Sequence, residues 1–196
     1  CEYSGRVKNA FIAKGHNAIS CDIRAHQLSL FNDTNCLDSH KIQDVKLLLN
    51  DYWDMIIAFP PCTYLSKAGA RWMFPNGELN KKRYRNALKA KEFFMLFYNH
   101  SCNKVCIENP QQMKIIDMPK HSQCIQPYMF GDPYSKKTLL WLKGLPLLKP
   151  TNLINDYTPW VKSSKHRGKY QPPTKNSKDR SLSFHGIARA MADQWG

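Results

Sequence analysis

Acidic residues are scarce in this chain: 15 Asp and Glu stand against 29 Lys and Arg, a formal net charge of +14. That imbalance favours a polyanionic partner, nucleic acid first, over a neutral binding surface. Long apolar runs are missing too. No stretch approaches the roughly 18 apolar residues of a membrane span, so no membrane partner is expected. The seven cysteines include no Cys-x-x-Cys pair, which argues against a zinc ribbon or a redox dithiol. Cys102 and Cys106 share the spacing of one helix face but fall where a loop runs into a strand, and no metal is expected. An odd cysteine count, with no secretory leader expected ahead of the domain, reads as a reducing, cytoplasmic setting. No repeat or low-complexity tract interrupts the sequence.

What remains is an ordinary globular composition: 196 residues, 42% of them hydrophobic, enough for one core. The first two thirds alternate in a strand–helix rhythm. A helix is expected over 7–14, stopped by Gly15, then a short strand over 18–23 ending in Asp22. A short helix follows Asp44, and residues 54–59 form a buried strand stopped by Pro60 and Pro61. Ala87, Ala90, Phe93, Phe94 and Phe97 lie at helical spacing within a helix over 81–98. Strands over 104–108 and 138–142 complete the pattern. The loop-like opening at Cys1 suggests a further short strand upstream. The rhythm predicts a parallel-rich sheet with covering helices, and such sheets bind ligands at the carboxyl ends of their strands. Asp22, Cys62 and Glu108 all fall at such ends and should face one crevice.

Three segments carry chemistry. In Pro60-Pro61-Cys62 two prolines stiffen the turn after a strand and hold a thiol at the sheet rim, where a nucleophile could work. Alone, a packed structural cysteine would be the plainer reading. In Ile107-Glu108-Asn109-Pro110 a carboxyl at a strand end beside apolar residues could serve as an acid. Alone, it could equally be a solvated glutamate. Glu2-Tyr3-Ser4-Gly5 before a helix has the look of a nucleotide loop without the full glycine set. From about 150 to 180 the rhythm breaks into a basic, irregular arm, where Lys162, Lys165, His166, Arg167, Lys169 and Arg180 mingle with Trp160 and Tyr170. It is either a solvated loop or a strip for phosphates and bases. A closing helix over 183–195 follows.

In this order the segments resemble the DNA cytosine 5-methyltransferases, and more closely their short bacteriophage-type members. The match covers roughly residues 1–145 and includes the Ser66-Lys67-Ala68-Gly69 that trails the nucleophile loop. It departs at Arg6 and Val7, where the family has glycines, and at Thr138, where a second arginine is usual. A short segment also stands where a full target-recognition domain would be.

The resemblance implies an α/β, class I methyltransferase-like (Rossmann-like) sheet with helices on both faces. It implies one domain, with a catalytic core over 1–145, a reduced recognition arm over 146–182 and a closing helix over 183–196. S-adenosylmethionine would be held by Tyr3, Ser4, Gly5, Asp22, Ile23, Asp44, Val45 and Pro60. Cys62 would be the nucleophile, Glu108 the acid and Lys136 their helper. DNA, single-stranded or with a base flipped from a duplex, would meet Ser66, Arg71, Lys137, Lys165, Arg167, Lys169 and Arg180. An amino-methyltransferase is the rival enzyme, but those carry an aromatic where Cys62 stands. A phage protein that keeps the fold and binds without turnover is the non-enzymatic alternative, and an RNA cytosine methyltransferase the third.

Overall fold

The computed structural model describes residues 1–24, 39–160 and 182–196. Its elements in chain order are α1 (Arg6–Ile12), β1 (Ser20–Asp22), β2 (His40–Ile42), β3 (Ile56–Ala58), α2 (Ala70–Met73), α3 (Lys81–Tyr98), β4 (Val105–Asn109), β5 (Gln123–Ile125), β6 (Tyr134–Ser135), β7 (Thr138–Lys143), β8 (Thr158–Pro159) and α4 (His185–Trp195). The protein is mixed α/β. No described helix is long and apolar enough to cross a membrane.

The described chain gathers into two compact units. The first holds Cys1 with residues 48–124 and 137–147, and the second holds 2–47, 125–136 and 148–196.

The main sheet has the order β3-β4-β7-β5. β3 and β4 run parallel, pairing Ile56 with Val105 and Ala58 with Ile107. β7 departs from the parallel expectation: it runs antiparallel to β4, with Glu108 opposite Leu140 and Asn109 opposite Leu139. The reason lies in the connection. A parallel return needs a crossover element, and between β4 and β7 the chain forms only the single-turn helices Lys114–Ile116 and Pro127–Met129 and the short strands β5 and β6.

α3 follows the expected bounds. Asn80 caps it by accepting a hydrogen bond from the Arg83 N–H at 3.0 Å. Its Ala87, Phe94 and Phe97 are buried, and Phe94 meets Trp141 of β7 edge-on at 5.1 Å. The strand centres supply the rest of this core: Val105, Cys106, Ile107 and Leu140 are all at most 2% exposed.

In the second unit β1 and β2 pair in parallel, Asp22 level with Ile42. β6 and β8 form another parallel pair. α4 packs on α1 and buries Ile187, Ala190, Met191 and Trp195. Its first-turn amide, that of Gly186, donates to the Asp132 carboxylate at 3.0 Å, which supplies the cap that Phe184 cannot.

Candidate functional site

The first unit holds both the Pro-Pro-Cys and the Glu-Asn-Pro segments. β3 ends at Ala58 and the chain enters the proline pair, with Pro60 buried and Pro61 exposed. Cys62 follows, partly exposed. Its carbonyl accepts the amides of Leu65 at 3.0 Å and Ser66 at 2.8 Å, so the thiol stands on a closed turn. Leu65, fully enclosed, pins that turn to the core. Ser66 Oγ then accepts the Ala68 amide at 3.2 Å and starts the next helical turn.

The strand carrying Glu108 is fastened to this loop. Asn109, 1% exposed, donates from Nδ2 to the Pro60 carbonyl at 2.8 Å and to the Glu108 carbonyl at 3.0 Å. Farther along, the Lys67 amide donates to the Gln111 carbonyl at 2.8 Å and the Met113 amide to the Leu65 carbonyl at 2.9 Å. The Pro-Pro-Cys loop and the Glu-Asn-Pro segment therefore form one zipped assembly at the carboxyl ends of β3 and β4. Prolines stiffen one side, and a buried amide fixes the other.

Two cysteines lie close to this assembly in sequence and differ in chemistry. Burial pushes the Cys106 thiol far up, and the charge of Glu108 adds to the rise. Such a thiol stays protonated and inert at neutral pH. Cys62, partly exposed at the turn, lacks that enclosure.

The second unit holds the residues expected at the cofactor except Pro60, which belongs to the first, and places Asp22 and Asp44 at and just after the ends of β1 and β2. Gly5 caps α1 at φ 66°. Glu2 accepts the amides of Val7 at 2.8 Å and Lys8 at 3.3 Å, and also the Ser4 hydroxyl at 3.1 Å. The chain's own carboxylate thus occupies the helix start, where the sequence alone suggested a place for a ligand anion. Asp22, buried at the end of β1, accepts the amide and Nε of Arg24, both on Oδ1, at 3.0 and 3.2 Å. The Arg24 guanidinium lies 4.1 Å over the Tyr3 ring. Asp44 follows β2 and accepts the Lys46 amide at 3.0 Å, capping the turn that begins at Val45. Ile23, Ile42 and Leu47 stand 76%, 62% and 67% exposed beside these acids.

Burial raises the Cys21 thiol, and the charges of Asp22 and Asp44 reinforce the rise. Lys136 belongs to the second unit, where its ammonium lies 5.7 Å from the Phe184 ring centroid. Lys137 is exposed just before β7, and Ser66 and Arg71 belong to the first unit. Lys165, Arg167, Lys169 and Arg180, with the rest of the basic arm over 162–180, lie outside the described residues.

The sequence reading missed Glu2 as a cap, Arg24 as the partner of Asp22, and Asn109 as the tie between motifs. Only Glu2 had a local signal, an acid just ahead of a helix start. Among the described residues no group of three or more His, Cys, Asp and Glu side chains could hold a metal ion. No protein-family model, curated protein or solved structure matches the chain.

Proposed function

We propose that the protein transfers a methyl group from S-adenosylmethionine to carbon 5 of cytosine in DNA, with Cys62 as covalent nucleophile. The observation that carries this reading is the bond from Asn109 to the Pro60 carbonyl, which ties the Pro-Pro-Cys turn to the strand end bearing Glu108. A nucleophile and an acid on two fastened strand ends suit chemistry at two edges of one planar base. A class I methyltransferase-like sheet is proposed on the parallel β3–β4 pair, and mixed sheets with a reversed strand are common among doubly wound folds.

The residues of the second unit suit the cofactor: acids at two adjacent strand ends for hydroxyl and amino groups, and exposed Ile23 and Ile42 for an adenine face. Tyr3, Ser4, Gly5 and Val45 of the same unit complete that assignment. When bound, S-adenosylmethionine supplies an electrophilic methyl group. Cys62 forms a bond from Sγ to ring carbon 6, and the displaced electron pair makes carbon 5 nucleophilic. Glu108 holds a proton at ring nitrogen 3 and so stabilises the charge that the attack produces. Lys137, in the same unit as Cys62 and Glu108, holds the base carbonyl or its phosphate. Once carbon 5 has taken up the methyl group, water accepts the proton from carbon 5, and the freed electron pair re-forms the ring double bond and expels the Cys62 thiolate. The base must be unpaired or flipped out for both side chains to reach it.

A second reading, a protein that keeps the fold and binds DNA or cofactor without turnover, is favoured by Glu2, whose carboxylate fills the start of α1. Transfer of labelled methyl to single- and double-stranded DNA, with wild type beside Cys62→Ala, decides between them. The proposed enzyme labels DNA only as wild type. Bound cofactor with no transfer to any DNA would select the second reading.

A further inference from the structure

Just past the nucleophile loop, on the first unit, aromatic rings and guanidinium groups interleave at the surface. Trp72 is 50% exposed and Phe74 38%. The Arg71 guanidinium lies 4.0 Å from the Trp72 ring centroid. Arg83 reaches from the first turn of α3 to lie 5.0 Å from the Tyr64 ring and 5.6 Å from that of Trp72. Contacts at this range are real cation–π attractions, and they leave a large indole half open to water.

Arg83 is held in place from three sides. Its amide is fixed by the Asn80 cap, and its Nη2 donates to the Thr63 carbonyl at 2.8 Å. Gly69 leaves the space it needs, since a Cβ there would come within 2.8 Å of Nη2. The surrounding charge has one sign: over residues 63–85 the bases Lys67, Arg71, Lys81, Lys82, Arg83 and Arg85 stand against the single acid Glu78.

Half-open rings braced by fixed arginines, in a field that attracts phosphate, match the way unpaired bases are gripped. Bases stack on the rings while the backbone follows the cations. A duplex keeps its bases stacked on one another and offers these rings nothing flat. We propose that Tyr64, Arg71, Trp72 and Arg83 form a stacking platform for single-stranded DNA, beside the loop that carries Cys62. The substrate class so assigned, cytosine in a single strand, rests on the methyltransferase reading above, whereas the platform itself can be tested without any cytosine.

The test is binding of the full chain to a short labelled oligothymidylate and to an A·T hairpin duplex, followed by fluorescence anisotropy. The single strand should bind more tightly. Trp72→Ala should weaken it roughly tenfold, Trp72→Phe should stay near wild type, and Arg71→Gln should flatten the salt slope by about 0.7. A Trp72→Ala variant within about twofold of wild type, or tighter binding to the hairpin, would overturn the platform. The two claims separate cleanly. Loss of oligothymidylate binding in Trp72→Ala, with no methyl transfer by wild type, keeps the platform and sinks the methyltransferase. Methyl transfer whose KM for single-stranded DNA ignores Trp72→Ala does the reverse.

Discussion

Asn109 divides its side-chain amide between the carbonyls of Pro60 and Glu108, inside a site almost closed to water. Pro60 and Pro61 have no amide hydrogen to donate, so the ladder stops there, and a side chain from the next strand supplies the donor for the Pro60 carbonyl. Asn109→Ala removes both bonds from the loop and the strand end. The expected cost is about 1–3 kcal/mol, read as a lower urea midpoint at unchanged slope, together with reduced methyl transfer. A loss below about 0.5 kcal/mol would mean that the loop is held elsewhere. At this scale the sequence exposed the chemical groups but not their fastenings. The placement of Cys62 and Glu108 at strand ends was legible because each follows a short apolar run closed by proline. The reach of Asn109 to Pro60, like the clasp of Arg24 on Asp22 and Tyr3, joins residues through folding and leaves no local pattern.

Element by element, length governed legibility. α3 carries five turns of apolar spacing, and its observed bounds, Lys81–Tyr98, are those the periodicity predicts. β2, β5, β6 and β8 have two or three residues each and lack the apolar run with a proline stop that marked the equally short β3, and none was anticipated. The reversed direction of β7 was hidden for another reason: strand direction is set by the connection, not by the residues of the strand.

α4 starts where its closest backbone contact demands. A Cβ on Gly186 would lie 1.8 Å from the Phe130 carbonyl oxygen. Backbone cannot swing aside as a side chain can. Gly186→Ala should therefore cost about 3 kcal/mol, the upper end for overpacking, and lower the melting temperature of the chain. An unchanged melting temperature would contradict the placement of the helix start.

For the whole molecule the dominant quantity is charge. A net +14 makes any DNA complex strongly dependent on salt through counterion release. Much of the excess sits in the sequence between Lys162 and Arg180. Replacing Lys165, Arg167 and Lys169 together by glutamine should weaken DNA binding and flatten the plot of log affinity against log salt by about 2–3. An unchanged slope would remove the arm from the interface and leave the phosphate contacts to other basic residues.

The central claim is a bond between Cys62 and a cytosine ring, and trapping measures that bond directly. A DNA containing 5-fluorocytosine cannot lose a proton from carbon 5, so an enzyme that attacks carbon 6 and transfers methyl remains attached. With S-adenosylmethionine present, the wild-type chain should yield a denaturant-resistant protein–DNA adduct. Cys62→Ser should yield none, and Glu108→Gln should form it slowly. Cys106→Ser should form it as wild type does, since the enclosed Cys106 thiol takes no part. An adduct that persists in Cys62→Ser, or methyl transfer that survives Cys62→Ala, would contradict the account.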